Sequence, residues 1–212
     1  MLLVNFPPRI PEKEAFSRSM WYRLLNHPKV YDLIQLIFHG QKPLQELAQS
    51  LDGFQNSACL EIGAGTGLAS PQGFSRLTVT DLSPAYLRKS SHSNRRVACD
   101  AARLPFQGQS FDVIFSLGLF HHLHDQAFGL ALREVDRIMR DDGVFINIDN
   151  IWPTRPYRIP ALLVRLMDRG QHVRTPKAQQ AMMASVFPHL QMSLGVYSWC
   201  RLEFVRFVAR KK

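Results

Sequence analysis

Apolar residues along the chain follow two different periods, and the change between them comes near Ser57. Before that point they recur at the three- and four-residue spacing of helices, most clearly from Val30 to Phe38, where Pro28 and Gly40 bracket the segment. After it, short apolar runs alternate with helix-like segments. That alternation is typical of a parallel sheet covered by helices on both faces.

The pattern after Ser57 predicts seven strands and at least two helices. Five predicted strands are short buried runs, at 58–62, 77–80, 96–99, 113–115 and 144–148. Helices are predicted at 84–90 and 126–140, the second closed by Asp141, Asp142 and Gly143. Two further runs, 190–197 and 202–209, predict a terminal hairpin. We therefore predict an α/β fold: a doubly wound, mostly parallel seven-stranded sheet with N-terminal helices and a C-terminal antiparallel hairpin.

Length and composition favour one globular domain. The chain has 212 residues, of which 46% are hydrophobic and 20% charged, and neither disordered nor fibrous proteins have this balance. No internal repeat or low-complexity linker divides it. We predict a single domain, 1–212, with a helical cap at 1–52, a core at 53–150 and a third segment at 151–212.

The net charge of +9 is confined to the third segment. Residues 151–212 contain eleven basic and two acidic side chains, whereas the cap and the core are close to neutral. An anionic partner such as an acidic substrate, a membrane surface or nucleic acid would explain this asymmetry. The charge therefore points to the substrate side or the outer surface rather than to the core.

Several protein classes are disfavoured by what the sequence lacks. Cys59, Cys99 and Cys200 are far apart and have no zinc-ligand spacing, so neither a disulfide framework nor a zinc site is expected. No signal peptide and no membrane span is apparent. We expect a cytoplasmic protein, and peripheral membrane contact stays open.

A glycine-rich loop follows the first predicted core strand. The sequence Leu60 to Gly67 reads LEIGAGTG, so Gly63, Gly65 and Gly67 alternate with other residues after Glu61. Such a turn, at the carboxyl end of a strand, lets backbone approach a ligand closely. The dinucleotide fingerprint fails because Leu68 replaces its third glycine, and the phosphate-binding loop motif is absent.

This loop and the motifs after it resemble those of class I S-adenosylmethionine-dependent methyltransferases, whose fold is Rossmann-like. The match continues through TVTDLSP at Asp81, CDAARLPF at Asp100, SFDVIFSLGLFHHL and REVDRIMRDDGVFI, over about residues 57–149. The pattern is most similar to the broad small-molecule group that includes ubiquinone and menaquinone methyltransferases. The resemblance implies S-adenosyl-L-methionine as cofactor, with Asp81 on the ribose hydroxyls and Asp100 near adenine. It implies cofactor contacts from Glu61, Gly63, Ala64, Gly65, Gly67, Asp81, Leu82, Asp100, Ala101 and Ser116.

Structural interpretations of the same residues stay open at this point. Asp81 could be an acid at the start of the helix near Pro84, and Asp100 could cap a turn. Cys59 and Cys99 are most simply small core residues. Only eight residues, 68–75, separate the loop from Arg76 and the second strand, where the family usually places a full helix. We predict a single turn and a loop there.

Methyl transfer needs a base only when the acceptor must lose a proton. His121 and His122, with His124 nearby, follow the fourth strand, and a histidine titrates near neutral pH. His121 and His122 are therefore the candidate catalytic residues. The alternative is that they hydrogen-bond locally and shape the loop.

Several methyltransferase subclasses are disfavoured around the fourth strand. Ser116-Leu117-Gly118-Leu119 replaces the Pro-Pro-aromatic motif of enzymes that methylate nucleic-acid amines, and the nucleophilic cysteine of cytosine-5 enzymes is missing. Asp149-Asn150 matches half of the metal site of catechol-type enzymes, but Ser116 replaces its first acid, so we predict no metal.

The acceptor is expected to be small or lipophilic. Residues 158–169 read as a basic amphipathic helix with Arg158, Arg165 and Arg169, which would suit an anionic acceptor, a lipid surface or simply solvent. The segment 150–170 and the N-terminal helices, with Trp21, Tyr22 and Tyr31, would cover the acceptor. Two alternatives remain: an RNA methyltransferase that uses the basic segment, and a cofactor-binding partner protein without turnover.

Overall fold

The computed structural model describes residues 41–67, 70–90, 95–154, 172–197 and 201–211. All of them belong to a compact unit that begins at Gln41, ahead of the predicted boundary between cap and core at residue 52. The predicted helices before residue 40, with Trp21, Tyr22 and Tyr31, lie outside the described residues. So do Cys200 and the arginines between 155 and 169.

Seven strands form one sheet in the order β3-β2-β1-β4-β5-β7-β6. Strands β1 to β5 pair in parallel, and β7 pairs antiparallel with both β5 and β6. This architecture confirms the predicted mostly parallel sheet with a C-terminal hairpin. The strands are β1 (Cys59–Ile62), β2 (Leu77–Asp81), β3 (Arg95–Ala98), β4 (Phe111–Leu117), β5 (Met139–Asn150), β6 (His189–Tyr197) and β7 (Leu202–Arg210).

Three of the described helices begin at a side chain that caps the first turn. The side chains of Ser83, His124 and Thr175 each accept a hydrogen bond from a backbone N–H three residues later, which satisfies a donor in the first turn. None of the helices in the described ranges is long and apolar enough to cross a membrane. The helices are α1 (Lys42–Ser50), α2 (Pro84–Leu87), α3 (Asp125–Ile138) and α4 (Pro176–Ala184), with a 3-10 turn at Phe120–His122.

Helices α3 and α4 cover the same face of the sheet. The inner face of α3 is fully buried and packs with strand residues such as Leu60, Ile114 and Phe145. Met183 of α4 and Phe187 just after it continue this apolar layer. Side chains alternate along a strand, so Asn147 and Asp149 lie on the same face as Phe145. The buried polar residues of β5 therefore face α3 and α4.

The segment between α3 and the predicted fifth strand differs from its prediction. We predicted a helix to Arg140, but α3 ends at Ile138 and residues from Met139 onward extend β5. Met139 pairs with Phe111 of β4, and the register shifts before the next pair. A Cβ on Gly143 would lie 2.7 Å from Met139 Cγ, so the chain needs glycine at this close approach. The long-range pairing with β4 overrides the local helical pattern.

Candidate functional site

The glycine loop leaves β1 in a left-handed backbone conformation. Gly63, Gly65 and Gly67 have φ angles of 74°, 58° and 77°, which residues with a Cβ rarely adopt. The N–H groups of Gly63 and Ala64 both donate to Thr80 O at 2.8 Å, which fixes the loop against the end of β2. The alternation of glycines seen in the sequence is thus a backbone requirement.

The three glycines differ in the space around them. A Cβ on Gly63 would lie 2.8 Å from Leu119 Cδ1, and a Cβ on Gly67 would lie 2.3 Å from Ser90 Oγ. At Gly65 no heavy atom of the described residues lies within 4 Å of the corresponding position. Gly63 therefore allows the loop to pack closely against Leu119, and Gly67 allows it to pack closely against Ser90. The described residues leave open space beside Gly65.

Asp81, the last residue of β2, is bound to this loop. Its Oδ2 accepts a hydrogen bond from Gly65 N at 2.8 Å, and its Oδ1 accepts one from Ser83 N at 2.8 Å. The helix cap is Ser83 rather than Asp81. Each carboxylate oxygen can accept a second hydrogen bond. Asp81 thus holds the glycine loop and keeps capacity for a ligand's hydroxyl groups, and ribose binding stays a prediction.

The ends of β2 and β3 bring further predicted residues to the same edge. Asp81 is paired with Ala98, the last residue of β3, so Asp100 comes two residues after the end of the neighbouring strand. Asp100 is exposed, and its Oδ1 accepts a hydrogen bond from Ala102 N at 2.9 Å, as the turn interpretation predicts. Ala101 is half-buried beside it, and Leu82 is 75% exposed. The exposed apolar side chain of Leu82 thus directly follows the Asp81 carboxylate in the chain.

Glu61 is buried beneath the loop, with an exposed fraction of 2%. Ser70 Oγ donates to its Oε2 at 2.5 Å, which joins the strand end to the chain beyond the loop. Burial raises the pKa of Glu61 to about 7, with a smaller contribution from the nearby charge of Asp81, while the Ser70 hydrogen bond opposes the rise. A direct cofactor contact of Glu61 stays a prediction.

The connection after the loop is short. Residues 70–76 contain bends and a turn but no helix. This agrees with the predicted loop over the part of 68–75 that is described.

Ser116 lies on the face covered by α3 and α4. It is fully buried, and its Oγ donates to Asn147 Oδ1 at 2.8 Å. Asn147 Nδ2 has no hydrogen-bond partner in the described part of the chain. The Ser116 side chain therefore forms a buried hydrogen bond between β4 and β5. Its contact with the cofactor stays a prediction.

His121 forms a buried ion-pair geometry with Asp149. His121 Nδ1 lies 2.5 Å from Asp149 Oδ1, and the two residues are 3% and 1% exposed. Asp149 Oδ2 accepts a hydrogen bond from Gln179 Nε2 at 3.2 Å. The Asp149 carboxylate can orient the His121 imidazole and stabilise its protonated form. A general base that is oriented by a carboxylate has this arrangement.

The second candidate histidine is placed differently. His122 is exposed, and its ring centroid lies 4.1 Å from that of His121 at an angle of 39°. His124 is the cap of α3. Of the predicted histidines, His121 has the buried carboxylate partner, and this gives it the stronger claim to base chemistry.

Arg174 holds the backbone around His121. Its guanidinium donates to Phe120 O at 3.2 Å and to Leu123 O at 2.7 Å, on either side of the two histidines. It also pairs with Asp125 and stacks on the Phe128 ring at 4.8 Å. The side chain is 8% exposed. A residue predicted only as part of a basic segment is therefore an internal clamp.

The sequence pattern indicates neither Gln179 nor the roles of Asp149 and Arg174. Asp149 was noted only for half of a metal motif, and no group of three or more potential ligands among the described residues is arranged for a metal ion. Helix α4 was not predicted, although Thr175-Pro176 is a typical helix start. That signal could have found the helix but not the contact with Asp149.

The thiols of the two described cysteines, Cys59 and Cys99, are those of unreactive residues. Burial raises the pKa of the Cys59 thiol to about 11 and also raises that of Cys99. Neither thiol is activated as a nucleophile.

The sheet order, the glycine loop after β1 and the carboxylate at the end of β2 together define the fold of class I methyltransferases. Residues 60–147 match the profile of the family described as "Methyltransferase domain". This match covers less than half of the chain and includes the glycine loop and the strand-end motifs that resemble those of class I S-adenosylmethionine-dependent methyltransferases.

Curated relatives match part of this chain. An uncharacterized protein of Escherichia coli K12, YafE, is 33% identical over 113 residues, which are 53% of this chain and 54% of that protein. The chain thus spans about half of this relative's length, and 37% and 23% of the length of two others.

Solved structures share the fold at low sequence identity. A SAM-dependent methyltransferase from Archaeoglobus fulgidus superposes with a TM-score of 0.68 and 15% identity, over 85% of this chain and 99% of that one. The 1,6-didemethyltoxoflavin-N1-methyltransferase of Burkholderia thailandensis, solved with 1,6-didemethyltoxoflavin and S-adenosylhomocysteine, gives a TM-score of 0.63 and 18% identity, over 99% and 93%.

Proposed function

We propose that this protein transfers a methyl group from S-adenosylmethionine to a small or lipophilic acceptor. The observation that carries the proposal is the glycine loop bound to Asp81 at the carboxyl ends of β1 and β2. Ligands of doubly wound sheets bind at this edge. The match of residues 60–147 to the methyltransferase domain family gives the reaction class.

The residues at this edge fit the cofactor. The open space at Gly65 admits a ligand to the backbone, and the Asp81 carboxylate can accept hydrogen bonds from ribose hydroxyls. Leu82 offers an apolar surface for adenine, and Asp100 offers an acceptor for its amino group. Gly63, Ala64 and Gly67 shape the loop. Bound S-adenosylmethionine would supply an electrophilic methyl group on its sulfonium.

The chain's own contribution to the chemistry is to hold the acceptor in line and, where necessary, to take its proton. Alignment alone can provide most of the acceleration of such a displacement. His121, supported by Asp149, is the residue that we assign to proton removal from an acceptor hydroxyl, ammonium or acidic carbon. His122 is the second candidate for contact with the acceptor, because its exposed ring lies against that of His121.

A small acceptor is supported by two findings. The fourth-strand sequence lacks the motifs of enzymes that methylate nucleic-acid bases. The Burkholderia protein with the same fold binds a small heterocycle, 1,6-didemethyltoxoflavin. An anionic or membrane-borne acceptor would also use the positive charge of residues 151–212.

Isothermal titration calorimetry with S-adenosylhomocysteine tests cofactor binding. We expect saturable binding by the wild type, and Asp81→Asn should weaken it by about 1–3 kcal/mol, because a charged acceptor is lost. Asp142→Asn is the matched control. Asp142 is exposed, lies just before the part of β5 that pairs regularly with β4, and is far from the loop in sequence. No binding by the wild type at about 1 mM ligand would refute the proposal.

Turnover separates an enzyme from a binding protein. We expect transfer of labelled methyl groups to at least one member of a panel of quinols, phenols and amines. Cofactor binding without any product across the panel would favour the non-catalytic alternative.

A further inference from the structure

Gln179 is a fully buried amide on the inner face of α4. Its Nε2 donates to Asp149 Oδ2 at 3.2 Å, and its Oε1 has no hydrogen-bond partner in the described part of the chain. Leaving a buried acceptor unpaired costs stability, and an apolar side chain would avoid this cost. The contact with Asp149 is therefore what the amide provides at this position.

The contact fixes the direction of the Asp149 carboxylate. Asp149 Oδ1 lies 2.5 Å from His121 Nδ1 and 2.8 Å from Asn150 N, and Oδ2 faces Gln179. A flipped amide would place its oxygen against the carboxylate, so only one orientation of Gln179 is favourable. With Oδ2 held in this way, Oδ1 stays directed at the histidine.

The direction of the carboxylate determines which nitrogen of His121 carries the proton. A carboxylate oxygen accepts hydrogen bonds, so a neutral imidazole beside it places its proton on Nδ1. Its Nε2 is then the basic nitrogen. Supporting groups of this kind set the tautomer and the orientation of functional histidines.

We propose that Gln179 is a positioning residue which, acting through Asp149, holds His121 in the tautomer that has its proton on Nδ1. The inference rests on the proposed function, in which His121 Nε2 takes the proton of the methyl acceptor. The same geometry joins three elements: the turn after β4, the end of β5, and α4. Helix α4 is thereby part of the catalytic apparatus although it contributes no reacting atom.

Nitrogen-15 chemical shifts of the imidazole ring test which tautomer His121 adopts in the wild type. Long-range proton–nitrogen correlation spectra distinguish the two tautomers, and comparison with His121→Gln assigns the signal among the eight histidines. We expect the neutral form of His121 to be protonated on Nδ1 in more than about nine-tenths of molecules, since the alternative places a lone pair against the carboxylate. A predominantly Nε2-protonated ring would overturn the proposal.

Gln179→Met tests the positioning role. The variant removes the donor with little change of volume, and we expect the His121 nitrogen shifts to move toward a mixture of tautomers. Gln180→Met is the matched control, because the same change falls on the exposed face of the same helix. Exposed His189 on β6 is the internal reference and should not change in either variant.

Folding and cofactor binding are measured on the same samples. Gln179→Leu serves as a second apolar replacement, and thermal unfolding shows whether each variant is folded. Unchanged His121 shifts in a folded variant, or loss of folding in both variants, would assign Gln179 a purely structural role and overturn the inference. Calorimetry with S-adenosylhomocysteine separates this result from failure of the proposed function, because cofactor binding does not depend on the tautomer of His121.

Discussion

Glu61 combines burial with an ionisable group in the functional region. The carboxyl lies beneath the glycine loop, is 2% exposed, and has Ser70 as its hydrogen-bond donor. Burial favours the protonated form, which raises the pKa of Glu61 to about 7. A ligand at the loop would therefore meet a site whose charge changes near neutral pH.

The raised pKa of Glu61 predicts a pH-dependent stability. Below the ordinary carboxyl pKa both the folded and unfolded states hold the proton, so the stability is complete. As pH rises from 4.5 to about 7, the unfolded state ionises while the folded state keeps the proton, so roughly 3 kcal/mol of stability should be lost by the time pH passes the folded pKa. Urea unfolding at about pH 5 and pH 8 measures this loss.

Glu61→Gln should remove most of that pH dependence, because the amide stays neutral. Asp142→Asn, which changes an exposed carboxylate on β5, is a control for general charge effects. Equal loss of stability in the wild type and in Glu61→Gln would show that other groups carry the effect.

At the scale of elements, the segment from 172 to α4 organises the turn that carries the histidines. Arg174 bonds the carbonyls of Phe120 and Leu123, and His172 N donates to His121 O at 3.0 Å. Gln179 adds the contact with Asp149 from the following helix. The turn after β4 is therefore held by a part of the chain that lies about fifty residues later.

Arg174→Met should destabilise the protein by about 2–4 kcal/mol, because partly buried carbonyl groups would lose their donor. Asp125 contributes less, since its side chain is 83% exposed and water can solvate it. Urea unfolding measures the change, with the exposed Lys177→Met on the first turn of α4 as the control. A loss under about 0.5 kcal/mol would contradict the clamp, since typical surface substitutions cost that little.

At the scale of the whole molecule, part of the positive charge of the third segment is used internally. Arg174 pairs with Asp125. Arg206 Nε lies 3.5 Å from Glu46 Oε2. Lys211 Nζ lies 3.7 Å from Asp141 Oδ1. Each acidic partner comes from an earlier part of the chain. The formal charge of residues 151–212 therefore overstates the attraction that this segment can exert on an anionic partner.

Internal pairing predicts weak binding to RNA. We expect a Kd above about 10⁻⁵ M for a single-stranded oligonucleotide near physiological salt, in the range of non-specific contacts. Fluorescence anisotropy across a salt series measures both the affinity and its salt dependence. Submicromolar binding with a steep salt dependence would instead support the RNA methyltransferase alternative.

The sequence was sufficient for features that depend on neighbours along the chain. The glycines at 63, 65 and 67 predicted a turn in which the backbone is open to close approach, and the apolar runs before this turn and before Asp81 predicted buried strands. The order of elements then implied the parallel sheet and its terminal hairpin. Local backbone preference and burial, which a sequence expresses directly, determine all of these.

Only the tertiary structure decided which polar side chains meet. Asp149 is 28 residues from His121 and 30 from Gln179, and their contact depends on the face of β5 that turns toward α4. A shift of one residue in strand register would move Asp149 to the opposite face of the sheet. The histidines could thus be identified from the sequence, but the acid that supports one of them and the amide that orients the acid depend on packing between distant elements.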